Sequence, residues 1–237
     1  MLNFYRSYVT NILNNILSSF FPATCLSCTD TLKHQEQHIC TKCLHNLPFT
    51  EFHKHAENPV KHTFYGRVHI ENATALLHYK KNSIVQQLIH QLKYKNRQEI
   101  GTLLGNMLGE RLKKEVAYHS IDYIIPVPLH KKRLQKRGYN QVATFGKQLA
   151  THLEAAYDDT ILVKTQNIKT QAFKKRAARW MTAQHSFEIT DTEILAGKHI
   201  LLVDDIITTG ATLEACAIAL QKIPNITISV ATMSIAS

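Results

Sequence analysis

Asp204 and Asp205 stand side by side after the apolar run 200–203, and Thr208, Thr209, Gly210 and Thr212 follow closely. Paired carboxylates can accept hydrogen bonds from a sugar diol, while threonine hydroxyls and the free N–H groups of a helix start can hold a phosphate. A carboxylate repels a phosphate placed against it. The spacing therefore puts the diol at the acids and the phosphate one loop further on, where a divalent cation could lessen the remaining repulsion. Gly210 would let the backbone turn tightly. The plainer alternative is that the two acids cap a turn and Thr212 starts a helix.

A second set of reactive side chains is Cys25-x2-Cys28, eleven intervening residues, then Cys40-x2-Cys43. Each pair can clamp one edge of a metal ion, and two pairs complete a tetrahedron of thiolates, the usual structural zinc site. Zinc would hold together about 20 residues that have little apolar content of their own. The rival is two disulfides, which the absence of an export signal disfavours. His34, His38 and His45 are substitute ligands in principle. Cys216 falls on the apolar side of a helix and reads as a small buried hydrophobe.

Two basic stretches lack acids. Lys131, Lys132, Arg133, Lys136 and Arg137 precede any acid until Glu154, and 160–187 holds Lys164, Lys169, Lys174, Lys175, Arg176 and Arg179. Solvated faces usually mix signs, so these read as anion-binding segments, for pyrophosphate or for a DNA backbone. The second could close over a reacting centre as a lid. Tyr139, Phe173 and Trp180 could stack on single-stranded bases, whereas Phe145 and Phe187 read as core.

The elements that must position these groups follow from periodicity. Runs 121–127, 161–163 and 199–203 look like buried parallel strands, with 226–233 a further one. Helices follow the first and third, beginning near Asn140 and Ala211. Ile84, Leu88, Ile89 and Leu92 form one helical stripe, and Leu103, Leu104, Met107, Leu108 and Leu112 another. Val68, Ile70, Ala73, Leu76 and Leu77 suggest a strand or hairpin. Alternating strands and helices imply an α/β domain with an open parallel sheet. The chain divides into an N-terminal helix and cysteine module over 1–50, a linker over 51–66, and the α/β domain over 67–237. In the helix, Leu13, Ile16, Leu17 and Phe20 make one apolar stripe.

The 237 residues carry 28 Lys+Arg against 18 Asp+Glu, a formal +10, which favours an anionic partner without choosing among metabolites, nucleic acid and acidic membrane. Asn11, Asn14, Asn15, Ser18 and Ser19 interrupt the N-terminal apolar stretch, which excludes a spanning helix there. A cytoplasmic location is expected, with association at the inner face of the membrane as a variant.

The stretch 201–212 resembles the phosphoribosyl pyrophosphate (PRPP) signature of type I phosphoribosyltransferases. With Pro126-Val127-Pro128, Arg137-Gly138-Tyr139-Asn140-Gln141, then Gln171, Arg179 and Phe187, and with the cysteine module, the chain resembles the ComF family of competence proteins of DNA uptake and GntX-type proteins. One departure is Thr182, where the family pattern usually has Asn. The resemblance implies a phosphoribosyltransferase type I sheet with a small four-cysteine zinc-ribbon module. It implies catalytic roles for Asp204 and Asp205, and PRPP contacts from these two with Ile207, Thr208, Thr209, Gly210, Ala211 and Thr212. Lys131, Lys132, Arg133, Arg137, Lys174, Lys175, Arg176 and Arg179 would meet pyrophosphate or DNA. Structural Zn²⁺ at Cys25, Cys28, Cys40 and Cys43, and Mg²⁺ with PRPP, are the implied cofactors. Three functions are compatible with it: a Mg-PRPP or ribose-phosphate binder that handles single-stranded DNA, an active transferase with an unidentified nucleophile, and an adaptor docking on a DNA-uptake helicase or channel.

Overall fold

The computed structural model describes residues 23–165 and 187–236. Two compact units, Met1–Leu47 and Pro48–Ser237, make up the chain. The proposed N-terminal helix lies outside the described residues. In the first unit, a bridge between Thr24 and Thr31 and the short helix α1 (Thr41–His45) bring Cys25, Leu26, Ile39, Cys40, Cys43 and Leu47 into a small buried cluster.

The second unit contains, in chain order, α2 (Pro59–His62), β1 (Ala73–Tyr79), α3 (Ile84–Tyr94), α4 (Glu99–Leu112), β2 (Tyr123–Pro126), α5 (Lys131–Arg137), α6 (Ala143–Leu153), β3 (Ala156–Tyr157), β4 (Leu162–Lys164), β5 (Phe187–Ile189), β6 (His199–Ile207), α7 (Ala211–Leu220) and β7 (Thr227–Ala236). Five strands form one sheet in the order β1-β7-β6-β2-β3, with every pairing parallel. Ile200, Leu201, Leu202 and Val203 are fully buried on the central strand β6, as a strand covered on both faces requires. This is the α/β parallel-sheet architecture expected from the alternation of patterns.

Several boundaries differ from the expectation. β6 does not stop at Val203 but runs on through both acids, because its pairing with β7 continues from Asp204 opposite Thr232 to Ile207 opposite Ile235. Hydrophobicity marked only its apolar first half, and the acids interrupt the run although Asp205 and Ile207 are buried too. Residues 161–163 do not join the main sheet: β4 pairs antiparallel with β5, and Lys164 lies opposite Phe187. Residues 51–66 are not a linker. They hold a 3₁₀ turn (Phe52–Lys54) and α2, and they bury Val60 and Phe64 in the main core. Asn58 caps α2 and donates through its amide to the carbonyls of Ala73 (2.8 Å) and His55 (2.9 Å), which pins the segment to β1. Its apolar residues are too few and irregular to show a period.

The stretch 48–50 also packs with the sheet. The N–H of His78 donates to Pro48 and that of Thr50 to Leu76, so this stretch covers one edge of β1. On one side of the sheet α4 and α6 approach very closely. A Cβ on Gly105 would come within 2.7 Å of the Phe145 carbonyl oxygen and 2.8 Å of Gln148 Cβ.

Candidate functional site

Ligands of open parallel sheets bind beyond the carboxyl ends of the strands. There, β6 delivers Asp204 and Asp205, and the turn after it delivers Thr208 and Thr209. Gly210 has φ +72° and precedes the first turn of α7. Residues 206–213 and Asp204 line a small pocket of about 60 Å³. It opens beside a cavity of about 870 Å³ that Asp204, Asp205 and Thr212 share with Arg133, Lys136, Arg137, Tyr139 and Gln141.

Successive strand residues point to opposite faces, so the paired acids have different surroundings. Asp205 is buried, and both of its oxygens are taken: Lys93 Nζ lies 2.7 Å from Oδ1, and Gln141 Nε2 donates to Oδ2 at 2.6 Å. Arg137 in turn donates to Gln141 Oε1, which extends the chain of charge-assisted bonds to α5. Asp204 is half-buried, and its Oδ1 accepts the Asp205 N–H at 2.8 Å. Burial, reinforced by the charge of Asp205, pushes the Asp204 carboxyl up to about 8. Among the described residues no lysine or arginine forms a salt bridge with it.

The other expected contacts divide. Thr208, Thr209, Ala211 and Thr212 are exposed at the turn, whereas the Ile207 side chain lies in the core and offers the site only its backbone. Arg133 and Arg137 line the cavity. Lys131 and Lys132 sit on the exposed helix α5 and do not. Lys174, Lys175, Arg176 and Arg179 lie outside the described residues, as do Phe173 and Trp180. Tyr139 lines the cavity and donates through its hydroxyl to the Leu92 carbonyl.

Four cavity residues carry no sequence expectation, Lys93, Tyr94, Lys95 and Asn96 around the end of α3, whereas Gln141 and Lys164, both named from the sequence, also line the cavity. A signal existed for the first group, since 72–98 lacks acids while carrying Lys80, Lys81, Lys93, Lys95 and Arg97. The Arg137 guanidinium lies 5.7 Å from the Tyr94 ring centre, a cation–π pair at the cavity wall. Burial lowers the Lys164 ammonium, with Cys216 and Asp204 opposing and Arg133 assisting.

In the first unit the sulfur atoms of Cys25, Cys28, Cys40 and Cys43 all lie within 4.8 Å of one another. The Cys28 and Cys40 sulfurs are 3.7 Å apart. A disulfide needs about 2.05 Å, whereas a tetrahedron with metal–sulfur bonds of about 2.3 Å has edges of about 3.8 Å. Cys25 accepts N–H groups from Ser27 (3.4 Å) and Cys40 (3.3 Å). Burial pushes the Cys25 thiol up, but such backbone donors outweigh it and bring it down to about 7. This four-cysteine cluster could hold a metal ion.

The family model described as "Phosphoribosyl transferase domain" matches residues 142–232, which span α6 to β7 and include the acid pair. The "Competence protein F" of Haemophilus influenzae is 24% identical over 221 residues, covering 87% of this chain and 94% of that protein. The chain is similar to that competence protein over most of its length. The "DNA utilization protein YhgH" of Escherichia coli O157:H7 is 31% identical over 133 residues, 55% of this chain and 58% of that relative, so the match spans little more than half of the relative's length. Among solved structures, an adenine phosphoribosyltransferase overlaps 63% of this chain and 74% of its own, at 20% identity and a TM-score of 0.38. No described helix is long and apolar enough to cross a membrane.

Proposed function

We propose that the α/β unit binds a ribose 5-phosphate compound, with Mg-PRPP the best fit, and that the protein serves DNA uptake by handling single-stranded DNA. The observation that carries the ligand reading is the convergence of a carboxylate pair, a threonine-rich helix start and several cations on a cavity and the small pocket beside it, which share Asp204 and Thr212. Asp204 would accept the ribose hydroxyls, and the turn 208–212 would hold the 5-phosphate. Arg133, Lys136, Arg137, Lys93 and Lys164 would face the pyrophosphate. The donor set suits Mg²⁺, a hard ion that takes one or two carboxylates together with phosphate oxygens. When bound, it would neutralise charge on the pyrophosphate. Transfer to a nucleophile would then be favoured electrostatically, without a strong general base. We assign the cysteine cluster to structural Zn²⁺, for which the sulfur spacing is the support.

The DNA role draws on the names of the relatives and on the exposed basic helix α5. Calorimetric titration with PRPP in the presence of Mg²⁺ tests the ligand. The protein should bind, and Asp204→Asn combined with Asp205→Asn should abolish binding; equal affinity in the double variant overturns the assignment. For DNA, affinity should fall steeply with salt because counterions are released. Replacing Lys131, Lys132 and Arg133 by Gln should flatten that dependence, and an unchanged slope places the DNA elsewhere.

A further inference from the structure

Arg67 reaches the phosphate turn from the segment between α2 and β1. Its Nη1 donates to Glu214 Oε2 at 2.6 Å, and its Nη2 donates to the Thr209 carbonyl at 3.1 Å. We infer that Arg67 is a positioning residue for the 5-phosphate subsite, fixing the Thr209–Gly210 peptide and neutralising Glu214. This rests on the ribose-phosphate reading above.

Orientation is the first part of the argument. In a trans peptide the C=O and the following N–H point in opposite directions, and the described chain has no cis bond. Holding the Thr209 carbonyl toward Arg67 therefore aims the Gly210 N–H away from it. Among the described residues nothing accepts that N–H. A bound oxyanion would supply the missing acceptor, as at other helix starts.

Charge is the second part. Glu214 lies in the first turn of α7, is 6% exposed, and has one carboxylate oxygen with no hydrogen-bond partner. A carboxylate there suits the helix dipole, but it competes with a phosphate for the same positive end. Buried charges interact through a low effective dielectric, so the competition would be severe if Glu214 stood alone. Pairing with Arg67 removes it.

Packing points the same way. A Cβ on Gly210 would lie 2.7 Å from Thr63 Cγ2 and 3.2 Å from Phe64 Cε1. The segment that supplies Arg67 thus presses on the back of the same turn.

The test is calorimetry on the full chain with ribose 5-phosphate and, separately, with magnesium pyrophosphate, which lacks the 5-phosphate. Arg67→Met should weaken ribose 5-phosphate by about tenfold or more, while leaving pyrophosphate affinity unchanged. Adding Glu214→Gln to Arg67→Met should restore part of the loss by removing the buried charge. Arg67→Lys keeps a cation but cannot reach both acceptors in the same fork, so it should fall between, and it serves where the Met variant fails to fold. Ribose 5-phosphate affinity unchanged in Arg67→Met or Arg67→Lys overturns the inference, as does equal loss for both ligands. If the unsubstituted protein does not bind ribose 5-phosphate, the ribose-phosphate reading falls and takes this inference with it.

Discussion

The ammonium of Lys93 and the carboxylate of Asp205 are 2.7 Å apart, and Gln141 occupies the other carboxylate oxygen. The two acids that look equivalent in sequence are therefore unequal in the fold. Asp205 is anchored between α3 and the turn before α6, while no lysine or arginine among the described residues forms a salt bridge with Asp204. Lys93→Met should strand a carboxylate only 5% exposed. Removing one partner of a buried pair is costly, but Lys93 retains some solvent contact, so a loss of about 1–3 kcal/mol is expected. Urea midpoints equal to those of the unsubstituted protein would refute the pair.

Asp204 makes the stability depend on pH in an unusual direction. Its carboxyl is raised from the ordinary 3.8 to about 8, first by burial and then by the Asp205 charge. Between these values the folded chain binds more protons than the unfolded chain. The contribution is therefore full below the unfolded value and is lost as pH rises through the folded one. Asp204→Asn stays neutral and can keep the hydrogen bond from the Asp205 N–H. The melting temperature of the variant relative to the parent should rise from about pH 4 toward about pH 8 and then level. A constant difference across that range would show that Asp204 is ionised throughout.

Much of the fold was legible because buried parallel strands and amphipathic helices leave strong periodic signals. Residues 200–203, Ile84 to Leu92 and the run after Ala211 all occupy the elements their pattern predicts. The acid pair, the cysteine spacing and Arg133 with Arg137 were visible because each is a local cluster of unusual chemistry. Lys93 and Arg67 were not. Each meets its neighbours across a long stretch of chain: Arg67 pairs with Glu214 at a separation of 147 residues, and Lys93 with Asp205 at a separation of 112. One sequence carries no trace of such pairings. Val60 and Phe64 were hidden for a different reason: a core contact made by isolated apolar residues has no period.

Two glycines should respond differently to the same substitution. Gly105→Ala must push the α6 backbone, since the nearest contact is the Phe145 carbonyl oxygen at 2.7 Å. Overpacking of this kind costs about 1–3 kcal/mol. Gly66 has φ +69° but nothing within 4 Å of an added Cβ, so Gly66→Ala should cost only the conformational strain, about 1 kcal/mol. Denaturant unfolding of the two variants checks the order, and a smaller loss at Gly105 would contradict the close approach of α4 and α6.

The four thiols are the last point at which chemistry can be separated from packing. Purified protein should contain about one zinc per chain, released by a strong chelator or by acid, because protons compete with the metal for thiolates. Cys28→Ser should lower the zinc content. The module 23–47 has few buried apolar residues beyond the cysteines, Leu26, Ile39 and Leu47, so without metal its amide protons should exchange rapidly. The sheet of the second unit has its own core, so protection of β6 and β7 should persist in the same sample. Hydrogen exchange followed with and without chelator checks both halves at once. Protection of 23–47 unaffected by chelator, with no zinc detected, would mean that packing alone holds the four sulfurs together.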